Sequence, residues 1–114
     1  MTLDAFLDTL NTQPESIAFT DTMAVIDATY DFTPTAFVNG KVKNDAGQNS
    51  GSCKLLAFAM LNGLSKEQTL ACFGAYYRDD VLKHPEGTDH QNIRNFMQYG
   101  WDGVKFETMP LKAK

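Results

Sequence analysis

The sequence predicts an α+β fold, in which about five helices pack around a small antiparallel sheet that contains a β-hairpin at Asn39-Gly40. Apolar residues recur at helical spacing in five separate stretches. The stretch from Tyr30 to Val38 is rich in aromatic and β-branched residues, as strands are, and Asn39-Gly40 directly after it is typical of a two-residue hairpin turn. A chain of 114 residues has the size of one ordinary domain, so residues 1–114 are predicted to form a single domain.

The first two helices are predicted from capping residues and apolar spacing. Thr2 is a suitable N-cap for a helix that ends before Pro14, and Thr20 for a helix with Asp21 near its positive end. The predicted inner faces are Leu3, Phe6, Leu7 and Leu10 in the first helix, and Met23, Ile26 and Tyr30 in the second.

The strand signal is interrupted by Pro34. Because proline lacks the N–H that a ladder needs, we expect an edge strand or a strand that begins only after Pro34. The segment Lys41-Val42-Lys43 alternates as a strand with one wet face does, and it forms the second arm of the predicted hairpin. Val104 to Phe106 is predicted to return as a short strand.

The third helix follows a polar loop from Asn44 to Ser52 and is apolar almost all round, which predicts a central helix packed on several sides. Gly63 is its natural end. The residues predicted to share its inner face are Cys53, Leu56, Ala57, Met60 and Leu61.

Two capping boxes predict the starts of the last two helices, one from Ser65 to Gln68 and one from Thr88 to Gln91. The fourth helix is expected to continue for about three turns until His84-Pro85 breaks it, and Gly100 ends the fifth. The predicted inner faces are Leu70, Phe73, Gly74, Tyr77 and Val81 in the fourth helix, and Ile93, Phe96, Met97 and Trp101 in the fifth.

Charge and hydropathy exclude two classes of partner. The formal net charge is -4, and residues 1–40 hold six of the 14 acids and no Lys or Arg. Because affinity for phosphate backbones rests on Lys and Arg, no nucleic-acid partner is predicted. The longest purely apolar run, Leu55 to Leu61, is far shorter than the roughly 20 residues of a membrane span, so no membrane association is predicted. The acidic segment indicates either a solvated face or a surface for a basic partner.

Several segments carry a specific resemblance to a known family. They are Tyr30 to Gly40, Gln48 to Lys54, Ala75 to Arg78, His90 to Arg94, and Tyr99 to Trp101. In this order the chain resembles the HopJ type III effector family of bacterial proteins. The resemblance implies export through a type III secretion apparatus, which needs no cleaved signal peptide, and it brings no catalytic residue, cofactor or substrate.

Other features of the chain favour a cytoplasmic location. The two cysteines, Cys53 and Cys72, are isolated, as reduced thiols in cytosolic proteins are. The N-terminus has neither a basic segment nor a long apolar one, so no cleaved signal peptide is expected. Asp4 and Asp8, in a helix predicted to begin at Leu3, differ from the mobile Ser/Thr-rich signal usual for type III substrates.

The most suggestive stretch for chemistry is the Gly/Ser-rich loop that leads into the third helix. Free backbone N–H groups at a helix start form an anion site, and Ser50, Ser52 and Lys54 add hydroxyls and a charge. The candidate anion-binding residues are therefore Asn49, Ser50, Ser52 and Lys54. The alternative is that Asn49 or Ser50 only caps the helix.

Three further sets of residues have side chains that could take part in chemistry or binding. Cys53 is a candidate reactive thiol because a helix start lowers the pKa of a cysteine, although its apolar face indicates a buried structural residue. Tyr76 and Arg78 form a candidate partner-binding pair, with a surface ion pair to the following acids as the alternative for Arg78. The spacing of His84, Glu86, Asp89 and His90 matches no metal motif, so no metal and no cofactor are predicted.

Together these patterns predict a small non-enzymatic module that binds an unknown protein or small-molecule partner, because no complete catalytic constellation is evident. The alternative is a small enzyme or an anion- or phosphate-binding protein that uses the helix start at Asn49 to Lys54.

Overall fold

The computed structural model describes residues 1–114 and confirms the α+β class. It contains five α-helices, a single π-helical segment, two 3-10 turns and two small antiparallel sheets. The helices are α1 (Leu3–Thr12), α2 (Phe19–Thr29), α3 (Ser50–Leu61), α4 (Lys66–Ala71) and α5 (Gln91–Tyr99), with the π-helix at Tyr76–Val81 and 3-10 turns at Pro14–Ser16 and Gly100–Gly103. The strands are β1 (Tyr30–Phe32), β2 (Phe37–Asn39), β3 (Val42–Asn44), β4 (Val104–Phe106) and β5 (Leu111–Ala113).

The aromatic stretch around Pro34 forms two strands in different sheets rather than one. Strand β1 pairs with the C-terminal strand β5, which the sequence did not predict, and β2 lies between β3 and β4. The chain leaves the ladder around Pro34, as expected for a residue without an N–H donor.

The hairpin is present, but its turn lies one residue later than predicted. Asn39 pairs with Val42, so the turn residues are Gly40 and Lys41. Gly40 has φ +61°, which glycine adopts without penalty, and a Cβ there would clash with the Tyr99 ring. Asn39 is instead fully buried, and its Nδ2 donates to the backbone oxygen of Asn92 at 2.7 Å.

Helix α3 is the centre of the core, as its apolar pattern predicts. The helix buries Cys53 and the whole segment from Leu55 to Ala59. The prediction was wrong for Met60 and Leu61, which are 39% and 47% exposed because they lie in the last turn of α3, at the surface.

The fourth helix is much shorter than predicted. It ends at Ala71, and Gly74 follows with φ +63°. A Cβ at Gly74 would lie 2.7 Å from the backbone nitrogen of Phe19, so this glycine lets the chain pass the start of α2. After the break the backbone continues as the π-helix.

The local capping signals had mixed outcomes. Thr2 caps α1, and the Ser65–Gln68 capping box forms at the start of α4. Helix α2 begins earlier than predicted, at Phe19, where the Asp21 carboxylate accepts a hydrogen bond from the Ala18 N–H at 3.1 Å in place of a Thr20 cap.

The second predicted capping box does not form. At α5 the N-cap is His90 rather than Thr88, and Gln91 Nε2 donates to the backbone oxygen of Thr88 at 2.7 Å. The Gln91 side chain therefore bonds to the Thr88 oxygen rather than to the Thr88 N–H, and α5 begins without a side-chain cap.

Candidate functional site

A cavity of about 360 Å³ lies where the N-termini of α3 and α5 meet. Helix α3 contributes Gly51 and Ser52 with its N-cap Asn49, and α5 contributes Gln91 and Asn92 with its N-cap His90. Aromatic and aliphatic side chains complete the lining, and none of the lining residues is Lys, Arg, Asp or Glu. These remaining residues are Phe19, Val42, Phe73, Tyr76 and Ile93.

Both helices begin in the same unusual way. Asn49 (φ +49°) and His90 (φ +50°) are the two non-glycine residues of the chain with positive φ, and neither side chain caps its helix. First-turn amides have no acceptor in their own helix. The amides of Gly51, Ser52 and Gln91 donate to no other acceptor in the protein, and the same holds for Asn92. Four unpaired N–H donors therefore belong to the cavity lining.

Asn44 on β3 joins the two helix starts. Its Oδ1 accepts hydrogen bonds from Asn49 Nδ2 at 2.7 Å and from Asn92 Nδ2 at 3.1 Å, and its own Nδ2 donates to Asn92 Oδ1 at 3.3 Å. Asn39 donates to the Asn92 backbone from the neighbouring strand, and its own Oδ1 is buried without a partner. This network of asparagines links the two helix N-termini through β3.

One wall of the cavity is a chain of aromatic rings. Phe19 stacks with Phe73 at 6.4 Å between ring centroids and meets Tyr76 edge-on at 5.2 Å. Tyr76 in turn packs against the His90 ring at 5.2 Å. Tyr76 is 44% exposed despite these contacts.

The orientation of His90 depends on the π-helix. Its Nε2 lies 3.1 Å from Asp80 Oδ2 and 3.8 Å from Asp89 Oδ2. Asp80 and Tyr76 both belong to the π-helix, so this one segment supplies a ring of the cavity wall and the acid that holds His90. Single π-helical turns occur frequently at functional sites.

The structure brings only two of the four candidate anion-binding residues to the cavity. Asn49 and Ser52 line it, whereas Ser50 Oγ donates to the Gly47 carbonyl at 3.4 Å. Lys54 Nζ lies 2.9 Å from Asp27 Oδ1 and 5.1 Å from the centroid of the Phe32 ring. The one cation in the predicted set is therefore occupied by an ion pair outside the cavity.

The candidate partner-binding pair is separated. Tyr76 lines the cavity, while Arg78 points elsewhere and donates from Nη2 to the Ile17 carbonyl at 2.8 Å. The ion pairs that the sequence suggested for Arg78 do not form, because Asp79 pairs with Lys83 at 3.2 Å and Asp80 with His90.

The residues around His84 serve to hold the loop before α5. Arg94 lies 2.7 Å from Asp89 Oδ1 and donates to the His84 carbonyl at 2.9 Å. The hydrogen bond from the Arg94 guanidinium holds the pKa of Asp89 below its usual range. No three His, Cys, Asp or Glu side chains lie close enough together to hold a metal ion.

Comparison with known proteins decides the family. The family model described as HopJ type III effector protein matches residues 3–111. The chain belongs to the HopJ family. It is similar to a solved structure described as "Crystal structure of unknown function protein VPA0580", with 62% identity over 100% of this chain and 95% of that chain and a TM-score of 0.98. No curated protein matches the chain.

This HopJ domain has no helix with the length and apolarity that crossing a bilayer requires. The resemblance seen from Tyr30 to Trp101 is confirmed, and the family match extends beyond it at both ends.

Cys53 is a core residue of the HopJ domain. It is 2% exposed, and burial raises the pKa of its thiol above the ordinary value in spite of its position in the first turn of α3. Burial likewise raises the pKa of Cys72 to about 12. Since the thiolate is the reactive form, this geometry favours a structural role for both cysteines.

Thiol protection in the folded state is therefore expected. Neither cysteine should react with iodoacetamide at about pH 8 until denaturant is added, as followed by mass spectrometry.

The free energy of unfolding should also depend on pH through Cys72. Above about pH 9 the unfolded chain releases a Cys72 proton that the folded chain keeps up to about pH 12, so stability falls as pH rises through this window. The slope from this group approaches about 1.4 kcal/mol per pH unit, and Cys72→Ala should remove it in urea titrations. Rapid alkylation of Cys53 in the folded protein would argue for a thiol mechanism instead.

Sequence reasoning missed the half of the HopJ cavity that α5 supplies. His90, Gln91 and Asn92 match no known ligand-binding motif, and the predicted Thr88–Gln91 capping box placed the start of α5 too early. The pairing of Asn44 with Asn92 spans 48 positions and has no signature in a single sequence.

Proposed function

We propose that this HopJ protein is a non-enzymatic module that binds a small anionic molecule, a phosphate ester or a carboxylate, in the cavity between α3 and α5. The observation that carries the proposal is that two helix N-termini meet at one cavity. In each helix, backbone N–H groups of the first turn donate to no acceptor in the protein. The partner is a small molecule rather than a second protein, since the unpaired donors lie in a concave site.

Two helix N-termini supply a useful binding energy for an anion without any cationic side chain. A helix start carries about half a positive charge, and an anion there gains about 0.3–1 kcal/mol, or about 2 when partly buried. Hydrogen bonds to a charged group add about 1.5–3 kcal/mol each before the cost of ordering the ligand. For free phosphate we therefore expect a dissociation constant on the order of 0.1–1 mM.

The surroundings of the cavity support a specific site rather than a general attraction for anions. The protein carries a net charge of -4, which repels anions at long range. The nearby lysine of α3, Lys54, is already paired with Asp27. The buried thiol of Cys53 supports binding over the enzymatic alternative.

The test is a phosphate titration of the isotope-labelled protein at constant ionic strength, followed by its backbone amide signals. We expect saturable shifts at Gly51, Ser52, Gln91 and Asn92, and no comparable shifts when chloride replaces phosphate. The absence of shifts at these four amides in about 10 mM phosphate would contradict the proposal.

A matched pair of variants tests the same site by charge. Gln91→Glu places a carboxylate at the cavity and should weaken phosphate binding by about tenfold through repulsion at close range. The variant should remain folded because an acid is favourable at a helix start. Gln98→Glu adds the same charge to an exposed position of α5 outside the cavity and should leave affinity unchanged. Equal weakening by both variants would indicate a nonspecific effect of net charge.

A further inference from the structure

We propose that the ligand of this cavity carries one aromatic ring beside a single anionic group, and that the ring lies against Tyr76 and Phe19. The inference rests on the proposed function and adds the chemical class of the ligand. The cavity has two chemically different sides, unpaired amides at the helix starts and a continuous aromatic wall.

The aromatic wall is arranged to receive a ring. Phe73, Phe19, Tyr76 and His90 are in contact in that order, with centroid separations of 6.4, 5.2 and 5.2 Å. Tyr76 lies within the wall, in contact with Phe19 on one side and His90 on the other, and the residue is still 44% exposed. A rigid, anchored and partly exposed tyrosine gives a ligand ring a large contact area at little entropic cost.

The size of the cavity limits the ligand to a small molecule. Its volume of about 360 Å³ lies near the lower end of the range for small-molecule sites, about 300–1,000 Å³. A single ring with its anionic group is therefore favoured over a dinucleotide or a long acyl chain.

The charges of the lining limit the anionic part as well. No Lys or Arg lines the cavity, and His90, its one basic side chain, is already held by Asp80. Amides and helix dipoles alone suit one phosphate or carboxylate, whereas polyphosphates are bound with cationic side chains or divalent metal ions. The ligand class is thus an aromatic monophosphate or an aromatic carboxylate.

Three probes separate the ring from the anionic group: inorganic phosphate, glycerol phosphate and phenyl phosphate. Their affinities for the full chain are compared by the amide titration described above. We expect phenyl phosphate to bind at least about tenfold more tightly than glycerol phosphate, because only phenyl phosphate reaches the aromatic wall. We also expect nuclear Overhauser contacts between its ring protons and those of Tyr76 or Phe19 in the unmodified protein.

Substitutions at Tyr76 complete the test. Tyr76→Ala should abolish the preference for phenyl phosphate over glycerol phosphate, while Tyr76→Phe should retain this preference. Met60→Ala removes a similarly exposed apolar side chain outside this cavity and should change the affinity for neither phenyl phosphate nor glycerol phosphate.

The outcomes distinguish the two proposals. Equal affinities for glycerol phosphate and phenyl phosphate at the helix-start amides would overturn the aromatic ligand and leave the anion site standing. A preference for phenyl phosphate without ring contacts to Tyr76 or Phe19 would also overturn it. No binding of any probe at these amides would overturn the proposed function and this inference together.

Discussion

Replacement of Asn44 by alanine is expected to weaken both the fold and the proposed anion site of this HopJ domain. The change removes the acceptor for the side-chain amides of Asn49 and Asn92, so the buried Asn92 Nδ2 loses its partner on β3. Asn92 Oδ1 loses one of its two donors and keeps the other, Asn39 Nδ2 at 3.1 Å. Buried polar groups left unsatisfied cost about 1–3 kcal/mol each, and we expect a loss of about 2–4 kcal/mol in the free energy of unfolding. Urea titrations measure this loss.

Asn44→Ala should also lower phosphate affinity in the folded protein, in addition to lowering the fraction that is folded. Without Asn44 the N-cap Asn49 is no longer held to α5, and the spacing of the two helix starts is released. Under conditions in which the variant is folded, we expect phosphate affinity to fall at least about fivefold. Phosphate binds most tightly when the N–H groups of both helix starts are held in a fixed arrangement around it.

Asn95→Ala is the matched control for Asn44→Ala. Asn95 is also a buried asparagine that joins α5 to the hairpin, through a hydrogen bond from Lys41 N–H to its Oδ1 at 3.0 Å, but it does not reach α3. Its Nδ2 also donates to the backbone oxygen and the Oε1 of Gln91, but these contacts lie within α5 and do not join it to α3. We therefore expect a loss of about 1–2 kcal/mol in stability and at most about a twofold change in phosphate affinity. If Asn44→Ala preserves affinity as well, the network has no role in placing the helix starts.

Gly74→Ala is expected to be strongly destabilising for two separate reasons. The residue has φ +63°, where a Cβ is strained, and that Cβ would lie 2.7 Å from the backbone nitrogen of Phe19. Because the clash is with backbone, α2 or the segment after α4 must shift. We expect a loss of about 3 kcal/mol in the free energy of unfolding, from about 1 kcal/mol of conformational strain and the rest from overpacking.

Gly63→Ala separates these two causes. Gly63 has the same φ of +63°, but a Cβ there would meet nothing within 4 Å. Its substitution should cost only about 1 kcal/mol, which is the conformational part. Thermal or urea unfolding of both variants gives the difference, and equal losses would show that the approach of Phe19 to Gly74 does not limit the fold.

Local hydrogen bonds explain why part of the fold could be predicted. Thr2 accepts from Ala5 and Ser65 exchanges hydrogen bonds with Gln68, in each case across three positions of the chain. Such signals are complete within one turn of sequence. The prediction of Thr20 as a cap was wrong, because the Asp21 carboxylate accepts from the Ala18 N–H and the helix begins at Phe19. Capping propensities do not distinguish between two polar residues that are neighbours in the sequence.

Breaks and pairings between distant segments could not be predicted. The apolar periodicity predicted that the fourth helix continues through Gly74. The helix is instead interrupted there, where the chain passes close to the backbone of Phe19, 55 positions away in the sequence. Strand β5 has no strong pattern of its own and forms because β1 offers it an edge. In both cases the determining contact lies outside any local window.

The sequence by itself determined the α+β class, the apolar central helix, the family, and a helix start near Asn49 with unpaired amides, because capping, periodicity and composition act over a few residues. Tertiary structure alone decided that a second helix start, at His90, meets the first one, that Asn44 joins them, and that Phe19, Phe73 and Tyr76 form the facing wall. Tertiary structure also placed Lys54 outside the cavity, in an ion pair with Asp27. A cavity is made by side chains that are far apart along the chain, and their meeting depends on how the whole core packs.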